Sequence, residues 1–168
     1  KYSFKSQTKI RFKRMTVKHL EILLADDDTD DCAFFEEALA ELPISTRLTA
    51  VHDGEKLMQL LNEETGKLPH ILFLDLNMPR KNGFECLAEI KGNKKLNQLP
   101  VIILSTSYEQ EVINLLFQNG AQYFIRKPSA FAQFKKIIQY ALMLITEQDV
   151  TPPAKDHFVL TVENSQPV

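Results

Sequence analysis

The chain has 168 residues, 44% of them apolar and 25% charged, with a formal net charge of −2, which suits a single water-soluble core and excludes an overall pull toward nucleic acid or membrane. Residues 1–14 carry six positive charges (Lys1, Lys5, Lys9, Arg11, Lys13 and Arg14) and no acid, which leaves −8 for the rest of the chain. No apolar run approaches the roughly 20 residues that a spanning helix needs, and no apolar signal stretch follows the basic start, so a cytoplasmic location with no membrane contact is expected. Cys32 and Cys86 are far apart and lack metal-ligand spacing, so both read as buried free thiols.

Residues 1–19 read as a basic leader, either an expression leader or a misplaced start before Met15, with a nucleic-acid-binding arm as the alternative. From there short β-rich runs alternate with amphipathic runs of helix length. Residues 21–25 make a first strand that ends in a burst of acids, and residues 29–41 a helix capped by Asp28 or Thr29 and stopped before Pro43. Residues 46–51 alternate in polarity as a second strand, and Asp53-Gly54 turns the chain into a helix that runs to about Glu64. Residues 71–74 are apolar throughout, as a strand covered on both faces must be, and stop at Asp75. A short helix at 84–91 follows a loop with Pro79 and Gly83, then a fourth strand at 101–104 and a helix at 108–119 closed by Asn119-Gly120. Residues 121–126 give a fifth strand, and Ser129 caps a last helix with helical apolar spacing at Phe131, Phe134, Ile138, Leu142 and Ile145.

Five β/α units imply a doubly wound parallel sheet between helices, spanning residues 20–146. The tail, 147–168, opens with the linker signal Thr151-Pro152-Pro153 and holds a strand-like patch at 157–162; it is expected to be disordered or loosely docked.

Ligands of such sheets gather beyond the carboxyl ends of the strands. Those ends carry Asp26, Asp27 and Asp28 after strand one, Asp75 after strand three, Ser105 after strand four and Lys127 after strand five. Clustered carboxylates call for a compensating hard cation such as Mg²⁺, which Asp26 and Asp27 would hold. A carboxylate beside that ion can attack phosphorus while an ammonium neutralises the transferring oxygens, which suits Asp75 and Lys127. The Ser105 hydroxyl can donate to a phosphoryl oxygen. Singly, each residue reads as a helix cap, a solvated charge or a strand-end hydroxyl; the joint pattern is what points to chemistry.

The segments Ile22-Leu23-Leu24-Ala25-Asp26-Asp27-Asp28, Leu74-Asp75-Leu76-Asn77-Met78-Pro79-Arg80-Lys81-Asn82-Gly83, Pro100 to Thr106 and Ile125-Arg126-Lys127-Pro128 resemble the receiver domain of bacterial two-component response regulators. The resemblance implies a flavodoxin-like strand order 2-1-3-4-5, Asp75 as phosphoacceptor, and a metal site of Asp26, Asp27, Asp75 and the backbone carbonyl of Asn77. It also implies phosphoryl contacts from Ser105 and Lys127 and a switch built on Ser105 and Phe124, with Tyr123 beside it. A histidine kinase or histidine phosphotransfer protein would be the donor. Ser105 replaces the commoner threonine, and Phe124 lacks a phenolic oxygen, so a switch there must be read by packing. With too little chain for a second folded domain, no DNA-binding output is expected, and the signal is expected to pass to a downstream output protein, with a homodimer admissible. The protein is expected not to be an enzyme beyond self-catalysed phosphorylation and dephosphorylation.

Three competing readings are weaker. Asp26-x-Asp28-x-Asp30 with Glu37 imitates a calcium loop but has Asp31 where that loop needs Gly. A phosphohydrolase with Asp26 as nucleophile lacks a cap region. A degenerate receiver used only for docking would not need the full set of acids, hydroxyl and amine.

Overall fold

In the computed structural model residues 19–64, 66–147 and 151–165 are described, so residues 1–18 of the basic leader assigned to 1–19 lie outside the described residues. The strands are β1 (Leu20–Ala25), β2 (Thr46–Val51), β3 (Ile71–Asp75), β4 (Val101–Ser105), β5 (Tyr123–Arg126) and β6 (Val159–Leu160). The helices are α1 (Thr29–Ala40), α2 (Gly54–Leu61), α3 (Gly83–Gly92), α4 (Gln110–Gln118) and α5 (Phe131–Glu147). All strands pair in parallel, in the order β2-β1-β3-β4-β5-β6.

Because side chains alternate across a strand, each apolar run feeds two cores. Ile22, Leu24, Phe73, Ile102 and Leu104 point to the layer with Phe35 of α1 and Phe134 and Ile138 of α5. Leu23, Leu72, Leu74, Val101 and Ile103 point to the opposite layer with Leu57, Leu87 and Leu116 of α2, α3 and α4. Polarity at the start of each helix decides where it begins. Asp28 caps α1 by accepting from the N–H groups of Asp30 and Asp31, and Asp53 caps α2 through Lys56. Asn82 and Glu85 cap α3 reciprocally; caps of this kind contribute about 1 kcal/mol each. Gly120, at φ 88°, ends α4 in the left-handed region that suits glycine.

The tail departs from expectation. Instead of hanging loosely, it pairs in parallel with β5 as a sixth strand, and Phe124 N–H donates to the Phe158 carbonyl at 2.9 Å. Phe158 is buried and meets the Phe117 ring edge-on at 5.3 Å, while Leu160 is buried on the α1–α5 side. Burying one aromatic and one aliphatic side chain contributes several kcal/mol, on the order of 3–5, enough to hold a short strand. The outer edge of β6 is closed locally: Asn164 donates from Nδ2 to the Val159 carbonyl and accepts from the Thr161 N–H. Helix ends also shift: α2 stops at Leu61, α4 starts at Gln110 and α5 at Phe131, rather than near Glu64, Tyr108 and Ser129.

Candidate metal and phosphoryl-acceptor site

Strand order reverses between β1 and β3, and the ligands of such sheets gather beyond the carboxyl ends at that point. Asp26 and Asp27 follow β1, and Asp75 ends β3; their carboxylate oxygens lie within 4.8 Å of one another. Asp26 and Asp75 are buried and Asp27 is exposed, so the cluster opens to solvent on the Asp27 side. Three hard oxygen donors with one open side fit a divalent cation of the Mg²⁺ or Mn²⁺ type.

Lys127, just past β5, supplies the counter-charge. Its Nζ lies 2.7 Å from Asp26 Oδ2 and 2.7 Å from Asp31 Oδ2, but 3.9 Å from Asp75 Oδ1. Burial alone would lower this ammonium, yet its hydrogen bonds to Asp26 and Asp31 and the charge of Asp75 outweigh burial and raise its pKa. For Asp75 burial dominates: it pushes the carboxyl up to about 6, against the pull of Lys127 and the backbone N–H groups of Leu76 and Asn77. The Leu76 N–H donates to Asp75 Oδ1 at 2.9 Å.

Close packing fixes the end of β3. A Cβ on Gly83 would sit 2.3 Å from the Asp75 carbonyl oxygen, so the first turn of α3 reaches the strand end only with glycine there. His52 Nδ1 lies 3.0 Å from the Asp26 carbonyl oxygen, which can only accept, so that nitrogen carries the proton. Cys32 Sγ approaches the same carbonyl at 3.6 Å, and burial pushes its thiol up to about 11, well away from a reactive thiolate.

Ser105 is buried at the end of β4; its Oγ accepts from the Ser107 N–H at 3.1 Å, and its carbonyl accepts from the Lys127 N–H at 2.8 Å. Asn77 is exposed just past Asp75. Phe124 lies elsewhere: its ring is fully buried among the residues facing α4, 6.5 Å from the exposed Tyr108 ring. Tyr123 is buried on the other face. The strand ends thus gather Asp26, Asp27, Asp75 and Lys127 into one cluster. Asp28 and Asp30 belong instead to the cap and first turn of α1, which leaves no calcium-type loop. Sequence reading gave Asp31, His52 and Gly83 no role at this site. Only Gly83, the first residue of α3 after the Asn82 cap, carries a local signal; the other two matter through partners 96 and 26 residues away.

Comparison with known proteins points to one family. The family model for the response regulator receiver domain matches residues 22–139. Response regulator Rcp1 of Synechocystis sp. is 31% identical over 122 residues, covering 70% of this chain and 83% of its own. The crystal structure of the phosphorylated cyanobacterial phytochrome response regulator RcpA superposes with a TM-score of 0.72 at 31% identity, covering 81% of this chain and 99% of that one. The Mn²⁺-bound form of Rcp1 gives 0.69 at 30% identity, covering 80% and 99%. A two-component signalling chain with this sheet, this acid cluster and this lysine belongs to the response regulator receiver domain family.

Proposed function

We propose that the chain is a phosphoryl-accepting switch of a two-component relay, operating in the cytoplasm, in which Asp75 receives the phosphoryl group from a histidine kinase or histidine phosphotransfer protein. The observation that carries this reading is the convergence of Asp26, Asp27 and Asp75 within 4.8 Å, with Lys127 on their flank. The unit that does this is residues 20–146. Asp26, Asp27, Asp75 and the Asn77 carbonyl would hold Mg²⁺, which when bound neutralises the carboxylates and the oxygens of the transferring group.

An Asp75 carboxylate oxygen attacks phosphorus in line; the P–N bond of the donor phosphohistidine breaks as the new P–O bond forms. The leaving imidazole keeps the bonding electron pair and takes a proton from solvent. Lys127 then faces two anionic partners, Asp26 and the new phosphoryl dianion, and the Ser105 hydroxyl can donate to a phosphoryl oxygen while its Oγ still accepts from the Ser107 N–H.

Output passes to a partner through α4, β5 and α5. The Phe124 ring is already fully buried, so the response is not an inward repacking of that ring. Displacement of Ser105 and β5 is instead passed to Tyr108, 6.5 Å from Phe124, and to the tail, which the Phe124 N–H holds through Phe158. The test is incubation with Mg²⁺ and a small acyl phosphate, followed by intact mass and peptide mapping. Addition of one phosphoryl group at Asp75, absent in Asp75→Asn, is expected. Labelling at Asp26 would favour the hydrolase reading, and no labelling would favour a docking module.

A further inference from the structure

Lys127 does not rest on the acceptor. Its ammonium is shared between Asp26 and Asp31 at 2.7 Å each, and stands 3.9 Å from the nearer Asp75 oxygen. Asp26 belongs to the acid cluster, but Asp31 does not: it lies in the first turn of α1, outside the three carboxylates grouped for a cation. Its backbone is held there by the bond from its N–H to Asp28 Oδ1 at 3.2 Å, so its carboxylate faces the lysine from a fixed base. Its side chain is 38% exposed and forms part of the wall of a cavity of about 220 Å³ with Phe34, Phe131 and Ser129. That open volume gives the carboxylate room to swing away without moving the backbone.

From this geometry we infer that Asp31 is a positioning residue that parks Lys127 away from Asp75 and so sets how readily the ammonium reaches an incoming phosphoryl group. The inference rests on Asp75 being the acceptor. The ammonium has a third donor to offer, but its two 2.7 Å bonds hold Nζ 3.9 Å from Asp75 Oδ1, so to close on a phosphoryl group there it has to shift away from one of its two partners. Asp26 is buried and fixed beside the cation site, so Asp31 is the partner that lets go. Phosphorylation then exchanges the Asp31–Lys127 pair for a phosphoryl–Lys127 pair, and the loosened Asp31 carboxylate is left in the cavity between α1 and α5.

The experiment measures the rate of phosphorylation by a small acyl phosphate in excess Mg²⁺, across donor concentrations, in wild type, Asp31→Asn, Asp31→Glu and Lys127→Met, and in the Asp31→Asn/Lys127→Met pair. The expected result is a rise of roughly threefold to tenfold in the saturating rate of Asp31→Asn, the effect of a half-exposed charge-assisted hydrogen bond. The half-saturating donor concentration should stay unchanged, and the Asp31→Glu rate should return toward wild type. The same substitution should have no effect in the Lys127→Met background, since Asp31 acts through the lysine. An unchanged or lowered rate in Asp31→Asn, or an equal gain when Lys127 is absent, overturns the inference. If wild type takes no label at Asp75, the acceptor assignment itself has failed, which the wild-type arm alone reveals. Matching urea midpoints for wild type and Asp31→Asn would show that the variant is folded; a collapsed midpoint moves the comparison to Asp31→Ser.

Discussion

Replacing Asp75 with asparagine should stabilise the metal-free protein at neutral pH, and the gain should vanish in acid. Burial pushes the Asp75 carboxyl up to about 6, whereas the unfolded chain ionises near 4. For an acid raised by folding the sign is unfavourable: below about pH 4 both states are protonated and nothing is lost. Between about pH 4 and 6 the unfolded state ionises first and stability falls, and above about pH 6 the full difference of roughly 3 kcal/mol opposes folding. Asparagine carries no such charge and keeps an oxygen to accept the 2.9 Å bond from the Leu76 N–H. Allowing for relaxation around the ionised site, Asp75→Asn should gain about 1–3 kcal/mol at pH 7.5, or roughly 3–10 °C in Tm for a chain of this size. Urea unfolding of both proteins in EDTA at pH 7.5 and pH 4 measures it. Excess Mg²⁺ at pH 7.5 should reverse the order, because wild type then gains binding energy that the variant lacks. An equal difference in stability at both pH values would refute the burial argument.

Three further outcomes follow from the same geometry. Asp27→Ala should weaken Mg²⁺ binding by at least about tenfold in titration calorimetry, yet change metal-free stability little, because Asp27 is exposed where Asp75 is buried. Phe158→Ala empties the contact with Phe117; the local loss is about 3–5 kcal/mol, which should free β6 and speed exchange of the Phe124 amide while the five inner strands stay protected. A beryllofluoride phosphoryl mimic should change hydrogen exchange at residues 105–128 and in the tail near Phe158; changes confined to the Asp75 rim would remove the proposed route to the output face.

Much of the fold is legible without coordinates. Residues 71–74 and 101–104 are apolar at every position, as strands covered on both faces are, and they alternate with helix-length amphipathic runs, so a parallel sheet between helix layers follows from local pattern. Asp26 and Lys127 stand immediately after strands and Asp75 closes one, and parallel strands must end on the same side, so their gathering follows from topology alone. Element ends were less legible, because Tyr108 could open a helix but instead sits outside α4, where its ring lies 5.5 Å from the Arg126 guanidinium and close to Phe124.

Tertiary structure decided what depends on distant partners. Asp30 and Asp31 are equivalent as first-turn acids, and only the approach of Lys127, 96 residues later, makes Asp31 the one that carries an ion pair. The tail looked like a linker because Thr151-Pro152-Pro153 marks one locally; β6 forms because β5 offers an open edge with the Phe124 N–H unpaired on that side, flanked by apolar surface that Phe158 and Leu160 fill. The sequence by itself therefore determined the periodic elements and the order in which strand ends deliver acids and amine, since both are set by neighbours along the chain. Which carboxylate holds the lysine, how deeply Asp75 is buried and where the tail docks are set by groups brought together from remote parts of the chain, and only the folded packing could determine them.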